Sequence, residues 1–135
     1  MTAKILQHPN LPLTHLNLNS LRYAGEDFEQ KLLNAISSMA KPTLLYLNLG
    51  SNSDWWNDSS ELYDVDHEMN FSLLLKILEN QKHLKELDLS DSEFFEKTER
   101  LFKTIIEAKM FDSLSTLNLR RSVDFHSDNS VSYFA

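Results

Sequence analysis

Asp54, Asp58, Glu61, Asp64 and Asp66, followed at once by His67 and Glu68, make the densest group of ligating side chains in the sequence. Carboxylates at alternate positions, as in Asp64-x-Asp66-x-Glu68, suit calcium, but an EF-hand loop also needs a glycine at its turn and a bidentate acid at a fixed distance; both are missing. The acids therefore read as a solvated stretch or as a lure for a basic partner. His8, His15, His67, His83 and His126 are scattered, with no pair at the i, i+4 spacing of a helical metal site. The chain has no cysteine, which excludes disulfides and thiolate sites, and Gly25 and Gly50 are its only glycines. Neither a Gly-x-Ser-x-Gly elbow nor a phosphate-cradling loop can be built from them. Catalysis has no support at this level, and no cofactor or metal is expected.

The residue types that remain are those that anchor interfaces. Tyr46, Trp55 and Trp56 bury large area with few rotatable bonds to order, and they fall close together in the chain. At least one tryptophan is expected to fold back over a helix, leaving the other for contact. Arg120 and Arg121 form a small basic spot, read either as solvated or ion-paired side chains, with Asp91 a candidate partner, or as a phosphate contact.

What must position these side chains is a phrase written four times, Leu-x-x-Leu-x-Leu, at Leu13-Leu16-Leu18, Leu44-Leu47-Leu49, Leu84-Leu87-Leu89 and Leu114-Leu117-Leu119. Leucines two apart share one face of an extended strand, and the residue between them points the other way. Each phrase thus predicts a short strand with one apolar face. Between the phrases, Phe28, Leu32, Leu33, Ala35, Ile36 and Met39 recur at helical spacing, with Lys41-Pro42 closing the helix. Met69, Phe71, Leu73, Leu74, Leu75, Ile77 and Leu78 predict a second helix. Phe95, Leu101, Phe102, Ile105 and Ile106 predict a third, beginning after Ser92 as N-cap. Residues 51–66, rich in Ser, Asn and Asp, read as an inserted loop. The middle leucines lie 31, 40 and 30 residues apart, so the second unit carries the excess. Strands separated by helices join as parallel neighbours through right-handed crossovers.

These phrases resemble the leucine-rich-repeat family, whose repeat begins L-x-x-L-x-L-x-x-N, closest to its ribonuclease-inhibitor-type subclass or to irregular bacterial leucine-rich-repeat effectors. The resemblance covers nearly the whole chain. It implies an α/β fold, a short leucine-rich-repeat solenoid with about four parallel strands on the concave side and three helices on the convex side. The family's asparagine, which satisfies backbone groups in the turn after the strand, matches Asn52 alone; Leu21, Ser92 and Ser122 stand at the other three positions. Residues 1–12 read as a partial N-terminal repeat or cap, and 123–135 as a C-terminal cap over the open core. The whole of 1–135 is expected to be one domain.

If the leucines face the core, the surface is read from the residues between and after them. His15, Asn17 and Asn19, Tyr46, Asn48 and Gly50, Glu86, Asp88 and Ser90, and Thr116, Asn118 and Arg120 form three ladders across the strands. The ladder Asn17, Asn48, Asp88, Asn118 either bonds within itself or offers bonds to a partner's backbone. The residues taken as partner-binding are His15, Asn17, Tyr46, Asn48, Trp55, Trp56, Glu86, Asp88, Asn118 and Arg120.

A net charge of -7 repels phosphate backbones and anionic lipids, and no stretch approaches the apolar length of a membrane span. The partner is therefore expected to be another protein, with no nucleic acid and no membrane. The N-terminus lacks the apolar core of a signal peptide, which leaves a cytoplasmic setting or, for an effector, non-classical export. The sequons at Asn57 and Asn70 read as chance. Taken together the sequence predicts a non-enzymatic interaction module, with a bacterial effector acting on a host protein implied by the resemblance. The alternative is an assembly piece that self-associates through its open repeat ends.

Overall fold

The computed structural model describes residues 13–21, 28–57 and 65–123. The proposed caps at 1–12 and 124–135 lie outside these residues, as do Asp58, Glu61 and Asp64. In chain order the described elements are β1 (His15–Asn17), α1 (Phe28–Ser37), β2 (Tyr46–Asn48), α2 (Ser53–Trp56), α3 (His67–Asn80), β3 (Glu86–Asp88), α4 (Thr98–Glu107) and β4 (Thr116–Asn118). A turn of 3-10 helix at Met110–Asp112 links α4 to β4.

The four strands form one parallel sheet in the order β1-β2-β3-β4. Leu16 pairs with Leu47, Leu47 with Leu87, and Leu87 with Leu117, so the register follows the leucine phrase through spacers of unequal length. Of the nine leucines of the first three phrases, Leu16, Leu18, Leu44, Leu47, Leu49, Leu84, Leu87 and Leu89 are buried beneath the sheet and Leu13 is partly buried. There they meet Leu33 and Ile36 of α1, Phe71, Leu74, Ile77 and Leu78 of α3, and Leu101 and Ile105 of α4 in one continuous core. In the fourth phrase Leu114, Leu117 and Leu119 are only partly buried.

The solenoid expected from the repeat is not formed. The architecture is a mixed α/β fold, a four-stranded parallel sheet with flanking helices, and the sheet is not curled. A leucine lattice dictates strand spacing and register. The angle between successive units depends on what packs behind each strand, and here those pieces are unlike: ten residues of helix in α1, fourteen in α3 beside the one-turn α2, then ten in α4 with its 3-10 turn.

Two local expectations also change. The stretch read as an inserted loop starts with the helical turn α2, and Asp66 ends it by accepting from the Met69 amide at 3.0 Å as the N-cap of α3. Helix α4 begins at Thr98 rather than after Ser92, and the aromatic that enters the core is Phe94, 1% exposed, while Phe95 is 42% exposed. Phe95 sits in left-handed backbone with φ 42° and forms a parallel bridge with Val123, which turns its side chain out. The Thr98 hydroxyl donates to the Phe95 carbonyl at 2.6 Å, bracing the turn that leads into α4.

Each strand ends in the same way. The residue two beyond the last leucine of each phrase, Ser20, Ser51, Asp91 and Arg121, has φ between 51° and 58°. None is glycine, although this region disfavours a Cβ. The cost is offset because the turns bond to one another: Ser20 N donates to Gly50 O at 3.0 Å, Ser51 N to Ser90 O at 2.7 Å, and Asp91 N to Arg120 O at 2.7 Å. Pairing thus runs on from the strands into the turns, and the four turns form a stacked edge above the sheet.

Candidate protein-binding face

With the leucines directed into the core, the alternate side chains of the strands stand on the opposite face, over which no described element packs. The middle ladder is held by a repeated local bond. Asn17 Oδ1 accepts from Asn19 N at 3.0 Å, Asn48 Oδ1 from Gly50 N at 2.9 Å, Asp88 Oδ1 from Ser90 N at 2.9 Å, and Asn118 Oδ1 from Arg120 N at 3.1 Å. An amide or carboxylate at this position accepts the amide hydrogen two residues on, which bends the chain out of the strand. Four copies of one Asx bond thus explain why the sequence places Asn or Asp after the middle leucine every time.

Across the strands the ladder is tied further. Asn19 Nδ2 donates to Asn48 Oδ1 at 3.2 Å, Asn48 Nδ2 to the Tyr46 hydroxyl at 3.1 Å, and Asn118 Nδ2 to Asp88 Oδ2 at 3.3 Å. The Ser90 hydroxyl gives Asp88 Oδ1 a second donor at 2.6 Å. Of the two sequence readings of this ladder, internal bonding is the one these distances describe. Gly50 lies in the most crowded place: a Cβ there would stand 2.9 Å from Asn19 Nδ2, 2.9 Å from Ser90 Oγ and 3.1 Å from Asn48 Oδ1. A side chain at Gly50 would have to push the ends of Asn19 and Ser90 aside.

The outer row is His15, Tyr46, Glu86 and Thr116. His15 stacks on Tyr46 with ring centroids 5.8 Å apart and planes inclined by 22°. His15, Glu86 and Thr116 are exposed and Tyr46 is half-buried. Arg120 is exposed at the other margin, and Arg121, not Arg120, makes the ion pair with Asp91, at 3.7 Å.

Trp55 and Trp56 do not join this face. Both are buried, at 5% and 0% exposure, because α2 turns the chain back under the sheet and lays Trp56 against Phe94 with centroids 5.8 Å apart. The tryptophans expected at a partner interface are core residues instead. Two acids further on, among the described residues, are engaged with this chain as well: Asp66 caps α3, and Glu68 pairs with Arg100 at 2.7 Å. Among the described residues no three His, Asp or Glu side chains are grouped to hold a metal ion. Asn70, one of the two sequons, is fully buried and donates to the Trp55 carbonyl at 3.2 Å.

Asn52 lies beneath the stacked turns, 3% exposed. Its Nδ2 donates to the carbonyls of Leu18, Leu49 and Gly50 at 2.9, 3.0 and 3.1 Å, and its Oδ1 accepts from Leu21 N at 3.1 Å. Ser122 does the corresponding work between the third and fourth turns, donating to the Leu89 carbonyl and accepting from Ser92 N at 2.9 Å. Sequence reasoning found Asn52 and placed Asn19 in a surface ladder without giving it a role; its bond to Asn48 begins the lateral tie. The signal for Asn19 was its place beside Gly50 in the third ladder.

Compared with known proteins, the chain matches no family model, no curated protein and no solved structure. The leucine-rich-repeat resemblance therefore stands on the four phrases and Asn52, without a relative behind it. The effector role it implied has no finding to carry it and is set aside. Among the described residues no helix is long and apolar enough to cross a membrane.

Proposed function

We propose that this protein is a non-catalytic recognition module that binds another protein through the open face of its sheet. One observation supports the reading above others: the middle ladder and the half-buried Tyr46 beside it are already bonded to one another, so these side chains have little freedom left to lose on docking. His15, Asn17, Tyr46, Glu86, Thr116 and Arg120 offer the contact surface, and Asn48, Asp88 and Asn118 hold it in register.

Capture from a cell lysate with the full chain as bait tests this. Thr116→Arg should block the face by bulk and charge, and proteins retained by the parent should drop about tenfold or more. Lys76→Ala with Glu79→Ala, on the exposed side of α3, should leave retention unchanged. Equal retention by Thr116→Arg and the α3 variant rejects the face.

A second reading, self-association through the end of the sheet, is favoured by the incomplete burial of Leu114, Leu117 and Leu119 where the corresponding leucines of β2 and β3 are buried. Sedimentation equilibrium decides it. A dimer that grows with concentration and is lost in Leu117→Lys supports it, and a monomer throughout the concentration series removes it.

A further inference from the structure

We propose that the partner segment docking on this face is basic, and that it places an arginine or lysine side chain on a seat made by the Tyr46 ring and the Glu86 carboxylate. The inference rests on the face reading above and supplies its chemistry.

Tyr46 stands between His15 on one side and Glu86 on the other, since both are its direct register partners across the sheet. The His15 imidazole stacks on one face of the phenol ring, which turns the opposite face toward β3. The bond from Asn48 Nδ2 to the Tyr46 hydroxyl holds the ring down along β2, so the open ring face is presented without ordering a free side chain. A cation over that face is drawn by the ring quadrupole, and Glu86, exposed beside it, supplies the opposing charge.

The surrounding charges favour the same sign of ligand. Asp88, two residues beyond Glu86 on the same strand face, has both oxygens engaged, Oδ1 by Ser90 and Oδ2 by Asn118. It strengthens the field at the seat without competing for the ligand. Asp91 and Glu93 follow in the turn after β3, the first paired with Arg121 and the second accepting from Asn57 at 3.1 Å. At the seat itself an acidic partner would meet Glu86 and Asp88, with Arg120 standing only at the far margin of the face, and a basic partner complements the two carboxylates.

The molecule already contains one such arrangement. On the helical side the Arg100 guanidinium lies 5.0 Å from the centroid of the Phe71 ring and 2.7 Å from the Glu68 carboxylate. Tyr46 and Glu86 repeat the aromatic face and the carboxylate, with the cation to be brought by the partner.

The probe is an eight-residue peptide of alternating glycine and arginine, titrated into the full chain and followed through the aromatic NMR signals of Tyr46 and His15. Its counterpart carries citrulline, which keeps the shape and loses the charge. The arginine peptide should saturate and shift both rings, and the citrulline peptide should bind about tenfold more weakly. Glu86→Gln and Tyr46→Leu should each weaken binding of the arginine peptide about fivefold, whereas Tyr46→Phe, which keeps the ring and loses only the bond from Asn48, should weaken it by less than Tyr46→Leu. Glu107→Gln, an exposed acid on α4, should leave the affinity unchanged.

Absence of saturation, ring shifts mapping elsewhere, or equal weakening by Glu86→Gln and Glu107→Gln would each overturn the seat, the last by showing general attraction to an acidic protein. The Thr116→Arg capture separates this failure from failure of the face itself. Capture lost in Thr116→Arg without peptide binding leaves the face standing and removes the cation; capture unaffected removes both.

Discussion

Asn52→Ala is expected to lower the unfolding free energy by about 3–5 kcal/mol, at the upper end of what a single polar substitution does. The side chain is buried and bonds to the backbone of both the first and the second turn, through Leu18 O and Leu21 N on one side and Leu49 O and Gly50 O on the other. Removing it strips four backbone groups of their side-chain partner in a place with little access to water, and an unsatisfied buried group costs about 1–3 kcal/mol. Water entering the space left behind returns part of this, which keeps the sum below the arithmetic maximum. Asn52→Asp should fare no better, because it keeps the acceptor for Leu21 N, loses the donor and buries a charge. Urea unfolding followed by circular dichroism measures both. A loss under about 1 kcal/mol for the alanine variant would mean that the turns are held by their backbone bonds alone.

Trp56→Ala should cost about 3–5 kcal/mol, the range for deleting a fully buried aromatic side chain. Trp56 has no exposed surface, stands edge-on to Trp55 with centroids 5.6 Å apart, and rests on Phe94, which in turn meets Phe71 of α3 at 5.7 Å. The substitution opens a cavity at the junction of α2, α3 and the segment that leads into α4. Trp56→Phe is predicted to be much milder. It keeps a ring against Phe94, and the indole Nε1 it removes is buried with no hydrogen-bond partner among the described residues, so no bond is lost. Tryptophan emission gives an independent check, since Trp55 and Trp56 are the chain's only two tryptophans. Iodide should quench the native emission weakly, and strong quenching would contradict their burial.

Much of the scaffold was readable from residue types at fixed spacing. Leucines two apart share one face of an extended chain, so the strands at His15–Asn17, Tyr46–Asn48, Glu86–Asp88 and Thr116–Asn118 and their register followed from the phrase. Helical spacing likewise placed α1 and α3. Phe94 and Phe95 show where such reading stops. Adjacent aromatics carry no periodicity of their own, and which one enters the core was decided by left-handed backbone at Phe95 and its bridge to Val123.

The candidate site divides in the same manner. Asn or Asp after each middle leucine marked the ladder, because that position lies on the face opposite the leucines in every strand. The hydrogen bonds that tie Asn19 to Asn48 and Asn118 to Asp88 depend on distances between strands that are 29 and 30 residues apart in the chain, which no local pattern expresses. The seat at Tyr46 also needed the tertiary structure, since its neighbours His15 and Glu86 are brought together only by pairing.

By itself, the sequence determined an α/β chain with four short parallel strands, a leucine core and a polar opposite face. It also ruled out cysteine chemistry and the common glycine-rich phosphate motifs. Tertiary structure decided that the sheet stays uncurled, that Trp55 and Trp56 turn inward, and that Asp66 and Glu68 serve the fold. The physical reason is the range of the interactions. Side-chain alternation and helical period act over a few residues and are written in the chain, whereas sheet curvature and the direction of a tryptophan follow from how unlike helices fill the space behind the strands.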